Sequence, residues 1–193
     1  MTYLDSQDAV WDRLAGVVAQ VRRALEAGLE IARSVHEKYG WRPEADRHLP
    51  AHLVRREVLE RVRDLNPTLE DTDGLGLPMS GIRIEPTRRD VVRIWRSPDG
   101  ELPAPRSDSI RTFYTQARSD QEALPGLFPD DLFSGGGENL QPNNLALLWW
   151  DDDGALSRLC LVRPCGVHQN RGVAEWTVDA LAQQLPGGPP TSA

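Results

Sequence analysis

The chain has 193 residues, a formal net charge of −7, 39% hydrophobic residues and 26% charged residues, the balance of an ordinary soluble globular protein. A chain of this length buries roughly 70% of its unfolded surface when compact, so it folds without staples, and two cysteines are too few for a disulfide framework. Neither a basic–apolar leader in "MTYLDSQDAV" nor an apolar run of membrane length occurs, which makes the cytoplasm the expected location.

Charge is unevenly spread. Residues 81–118 hold eight arginines against five acids, whereas residues 119–155 hold eight acids and no base. A basic face beside an acidic one steers a partner or a second copy of the chain. Lys38 is the only lysine among 22 basic residues, so arginine at any one site carries little information by itself.

The first element is a helix. No proline interrupts Ser6 to Tyr39, and Val10, Leu14, Val17, Val21, Ala24, Gly28, Ile31 and Val35 recur in steps of four and three. Asp5 or Ser6 caps its start and Gly40 stops it. Trp11, Val18, Leu25 and Ala32 widen the stripe to that of a helix packed on a core. About 34 residues span roughly 50 Å, against a diameter near 40 Å for a compact globule of this size. The helix must therefore bend near Gly16 or Gly28, or project. A second helix is expected from Pro50 to Leu65, with Leu53 or Val54, Val58, Val62 and Leu65 on one face, giving an antiparallel helical hairpin over residues 1–68.

Beyond the turn-rich "NPTLEDTDGLGLP" the pattern turns to strands: "GIRIE" and "VVRIWR" alternate, followed by a Pro-Asp-Gly turn at 97–101. Ser107 or Asp108 caps a short helix reaching Arg118, and residues 121–144 read as loop. Residues 145–150 and 155–163 form the clearest hairpin. Trp149 and Trp150 point to opposite faces of its first strand; Leu156, Cys160 and Val162 share one face of its second strand, and Leu159 and Leu161 share the other. It reads as buried on both sides, in a central position of the sheet. Residues 172–185 fit either a strand followed by a helix or one helix, and 186–193 a frayed tail. The expected fold is α+β: the helical hairpin packed on, or extending from, a mostly antiparallel sheet of about four strands within a 69–185 domain.

Chemistry-bearing groups are sparse. Asp151, Asp152 and Asp153 could hold Mg²⁺ or perform acid–base work, but Asp153-Gly154 between two apolar strands already accounts for them as a turn. Cys160 and Cys165 lack zinc-finger spacing, and Cys165 with His168 forms a nucleophilic dyad only if the loop folds back. His48 and His52 have i, i+4 metal spacing, broken by Pro50 between them. "SGGGEN" lacks the Gly-Lys-Ser/Thr ending of a phosphate loop. No cofactor or metal is expected.

The most informative set is Arg83, Arg88, Arg89, Arg93 and Trp95. If Ile82, Ile84, Val92 and Ile94 face the core, Arg83, Arg93 and Trp95 share the opposite sheet face, with Arg88 and Arg89 in the turn. That combination suits phosphate contact with base stacking, or a protein interface. A plainer alternative has a helix over Trp95 and the arginines paired with Glu85, Asp90 or Asp99. The functional expectation is a non-enzymatic cytoplasmic accessory or regulatory module for a protein partner, with self-association through the first helix as a secondary possibility. A nucleic-acid-binding protein using the Arg/Trp face is the alternative, and a hydrolase of unknown substrate the third.

Overall fold

The structure is a computed structural model that describes residues 5–40, 49–69, 81–116, 143–183 and 185. Helix α1 runs unbroken over Gln7–Tyr39. Of the two candidate caps it is Ser6 that acts, its hydroxyl accepting from the Ala9 N–H, and Gly40 closes the helix at φ 61°. Its buried stripe is Val10, Leu14, Val18, Val21, Leu25, Gly28 or Leu29, and Ala32. Ile31 lies outside that stripe, 39% exposed. The reason is the period: a strict seven-residue repeat drifts around a straight helix with 3.6 residues per turn, so the far end of the seam rotates out of contact.

Helix α2, Leu49–Arg61, is followed by a 3₁₀ turn at Arg63–Leu65, so the helix expected to Leu65 tightens in its final turn. Val54 and Val58 on α2, with Val62 just beyond its end, form a buried row. The two helices run antiparallel: Gly28 lies against Val54, while the Gln20 side chain donates to the Arg61 carbonyl and to Asp64. At Gly28 a Cβ would stand 2.6 Å from the Val54 Cα. Gly28 therefore serves as the close crossing point between the helices.

Six strands form one mixed sheet in sequential order: β1 (Thr68–Leu69), β2 (Ile82–Thr87), β3 (Asp90–Arg96), β4 (Asn143–Asp152), β5 (Ala155–His168) and β6 (Arg171–Asp179). This corrects the expected four. β1 is too short to leave a pattern, and β6 pairs with β5 through a turn at Gln169-Asn170, both at positive φ but without the glycine that usually signals such a turn. One pair, β3–β4, is parallel. The 97–101 turn, in which Ser97 donates to Asp99 and to the Glu101 carbonyl, ends β3 without folding it into a hairpin. After β6 the Asp179 carboxylate accepts from the Leu181 and Ala182 N–H groups, and the described residues that follow form a turn with no helix among them.

Each face of the sheet has its own core. On one face Ile82, Ile84, Val92, Ile94, Leu145, Leu147, Trp149, Leu159 and Leu161 join the buried rows of α1 and α2 in one continuous cluster. On the other, Val91, Trp95, Ala146, Leu148 and Val162 pack beneath Leu102 and helix α3, Asp108–Tyr114, which Ser107 caps. A register shift at Trp150/Asp151 sets Asp151 opposite Leu156 and Trp150 opposite Arg158. The extra residue returns Leu156 to the helix-side core, away from Cys160 and Val162.

Candidate functional site

The Arg/Trp set is divided by the fold. Arg83 lies opposite Arg93 in the β2–β3 ladder and pairs with Glu85 at 2.5 Å. Arg88 and Arg89 are exposed in the tight turn that joins these strands. Arg93 and Trp95, offered as a binding face or, on the plainer reading, covered by a helix, are each only 6% exposed, because α3 covers them. Phe113 and Tyr114 meet the Trp95 ring edge-on at 5.7 and 6.1 Å, the geometry that aromatic quadrupoles favour. The Arg93 guanidinium lies 4.2 Å from the Phe113 ring centroid and donates to Ser109. Both side chains are thus built into the second core, where no base could stack on them.

The acidic triplet is accounted for residue by residue. Asp151 accepts from the Arg96 guanidinium at 2.7 Å, and Asp152 from the Trp150 indole N–H at 3.2 Å. Arg96 lies over the Trp150 ring at 4.2 Å, so a cation covers the tryptophan that the helices do not reach. Asp153 and Gly154 take φ 50° and 76°, the two positive values of a type I′ hairpin turn.

Cys160 is half-buried, and burial raises its thiol above the ordinary range, with Asp179 adding to the effect; such a thiol is a poor nucleophile. Cys165 sits at a β-bulge between the Pro164–Ala174 and Gly166–Val173 pairs, while His168 is exposed at the end of the same strand. His48 and "SGGGEN" lie outside the described residues. His52 is on α2, its Nδ1 2.7 Å from Arg55. Among the described residues no three His, Cys, Asp or Glu side chains gather into a metal-sized group, and no helix is long and apolar enough to cross a membrane.

Three features were unread or left undecided in the sequence. The first is a buried polar chain at the start of β4. Asp90, wholly buried, accepts from Arg13 at 2.8 Å on both oxygens, from Thr87 at 2.6 Å and from Asn143 at 3.2 Å. Asn143 in turn accepts from Arg163, also wholly buried, which pairs with Glu175 at 3.0 Å. Desolvation pushes the Asp90 carboxyl upward, but hydrogen bonds from Arg13, Thr87 and Asn143, with the charge of Arg13, outweigh it and hold the group below the usual range. Burial pulls Arg163 the other way, below the ordinary arginine range. The only sequence signals were an acid and an arginine inside apolar strands.

The second feature is β6, the long edge of the sheet. The third is the outward face of α2, where His52, Leu53, Arg55, Arg56, Leu59, Glu60 and Arg63 line an open groove of about 520 Å³. No protein-family model, curated protein or solved structure matches this chain. Its function is therefore argued from these surfaces alone.

Proposed function

We propose that this chain is a non-enzymatic accessory or regulatory module of the cytoplasm that binds a protein partner. The observation that carries the reading is the open edge at β6. That strand is nine residues long and pairs with β5 alone among the described residues. Val173 is 38% exposed on it, and Val167 beside it on β5 is 36% exposed. An edge strand presents a row of free N–H and C=O groups, a template on which another chain can add a strand. Proteins usually guard such edges with charge. Here the three charged residues of β6 are engaged within the chain: Arg171 with Glu101, Glu175 with Arg163, and Asp179 with the following backbone.

A photo-crosslinking residue placed at Val173 or Thr177, and at the exposed helical position Asp12 as control, tests this in extract of the native host. One protein species captured from β6 and not from α1, and lost in Val173→Lys and Thr177→Lys, is the expected result. Equal capture from all three positions, or capture insensitive to the lysines, overturns the reading. Light scattering on the purified chain shows whether the partner is a second copy.

The exposed pair Arg88 and Arg89 supports the nucleic-acid alternative, now without Arg93 and Trp95. That alternative requires an affinity for labelled oligonucleotides that falls with salt. Replacing both arginines by alanine should then lower the log–log salt slope by about 2.

A further inference from the structure

The helical hairpin carries three half-buried arginines, Arg13, Arg22 and Arg55. Arg13 pairs with Asp5 and Asp90, and Arg22 with Glu26. The exposed Arg33, Arg61 and Arg63 have carboxylates as well, from Glu30, Glu57 and Glu60. Arg55 has none among the described residues, although burial weighs against its charge. Its contact is the His52 ring, 2.7 Å from the guanidinium. A guanidinium has no acceptor to offer, so in this contact Arg55 donates and the His52 Nδ1 accepts. Arg56, the next residue, also lacks a carboxylate among the described residues. A partly desolvated cation without a counter-charge costs stability, and departures of this kind are expected chiefly at functional sites.

The surroundings define that ligand. His52, Arg55, Arg56, Leu59, Glu60 and Arg63 follow helical spacing along one face of α2, and the opposite face, Val54, Val58 and Val62, is buried in the core. Glu60 is already paired with Arg63. The lining carries three guanidiniums against one carboxylate, a surplus that matches the charge of about −1.5 to −2 on a phosphate monoester at neutral pH. Arginine forks suit phosphate oxygens, and Leu53 and Leu59 add an apolar wall. The groove volume of about 520 Å³ falls in the small-molecule range.

We infer that the outward face of α2 is a binding site for a small phosphate monoester, its phosphate on Arg55 and Arg56 and its apolar part against Leu53 and Leu59. This site lies on a different element from the β6 edge and stands or falls independently of the partner proposed there.

The test is a titration of the ¹⁵N-labelled full chain, followed by amide NMR shifts and calorimetry, with phenyl phosphate, inorganic phosphate, phenol and a single-stranded oligonucleotide at matched ionic strength. Phenyl phosphate is expected to bind more tightly than inorganic phosphate, with shifts centred on residues 52–63, and phenol not at all. Arg55→Gln and Arg56→Gln should each weaken phenyl phosphate at least tenfold, the scale of a lost charge-assisted hydrogen bond, and Arg55→Lys should retain part of the affinity. Without ligand, Arg55→Gln should melt no lower than the parent chain, which separates a binding role from a structural one. Absence of binding into the millimolar range, binding unaffected by either glutamine, or an oligonucleotide that binds where phenyl phosphate does not, overturns the assignment.

Discussion

Replacing Asp90 by asparagine keeps the side-chain shape but removes the charge at the centre of the buried polar chain. Asp90 accepts four hydrogen bonds, two of them from the Arg13 guanidinium. Breaking a buried ion pair from one side costs about 3–5 kcal/mol. Arg13 is 26% exposed and keeps Asp5 as a second partner, so the lower end, ~3 kcal/mol, is the expected loss. For a chain of this size that corresponds to a fall in Tm of about 6–12 °C. The loss must also depend on pH. The Asp90 carboxyl is held below its ordinary range in the folded chain, so its contribution is complete above the unfolded value of about 4 and disappears as pH falls through the lower folded value. Urea unfolding of the parent chain and Asp90→Asn at pH 7, and at steps down to about pH 2, should show the gap closing only on the acid side. A gap below about 0.5 kcal/mol at pH 7, the range of an ordinary surface substitution, or one that ignores acid, refutes the reasoning.

Gly28→Ala should destabilise by about 1–3 kcal/mol, since its Cβ would meet the Val54 backbone at 2.6 Å. Gly16→Ala, with nothing within 4 Å, should gain roughly 0.5–1 kcal/mol of helix stability, and thermal melts of the pair separate packing from propensity. Trp95→Ala should cost about 3–5 kcal/mol as a core truncation, whereas Arg88→Ala with Arg89→Ala should stay within about 0.5 kcal/mol each. A large loss from the arginines, or a small one from the tryptophan, in urea unfolding contradicts the burial described. Burial raises the Tyr114 phenol, which donates to the Pro103 carbonyl at 2.9 Å. Ultraviolet titration should therefore leave one tyrosine protonated well past the usual value of about 10, and Tyr114→Phe should remove that late step.

Periodicity and capping located α1, though not the far end of its buried stripe, and the row Val54, Val58 and Val62, because those patterns depend on local spacing. The β4–β5 hairpin was legible for the same reason, through alternating apolar residues around Asp153-Gly154. What the sequence could not convey was which element covers which face. Arg93 and Trp95 could be read either as a surface pair or as a pair under a helix, because sheet alternation says only that they oppose Ile82 and Ile94; it does not say that Phe113 and Tyr114 will close over them. The parallel β3–β4 pairing was hidden too, because its partners are brought together by a long crossover whose pairing no local pattern encodes. Of the surfaces on which the function now rests, β6 was left undecided between strand and helix. The α2 groove was glimpsed only as a histidine pair, since the feature that marks it, a half-buried arginine without a carboxylate among the described residues, is visible only once the other half-buried arginines of the hairpin, Arg13 and Arg22, are seen to have one.

The buried polar chain also sets a timetable. Its members lie at positions 5, 13, 87, 90, 143, 163 and 175, so it closes only once the chain has been made as far as Glu175. During synthesis at about 5–20 residues per second, the apolar stripe of α1 leaves the ribosome roughly 8–30 s before Arg163. For that interval α1 can pack on α2 and on β2 and β3, but the part of its core supplied by Leu159 and Leu161 of β5 is still missing. Its amphipathic stripe therefore stays incompletely covered until the strand that carries Arg163 has been made.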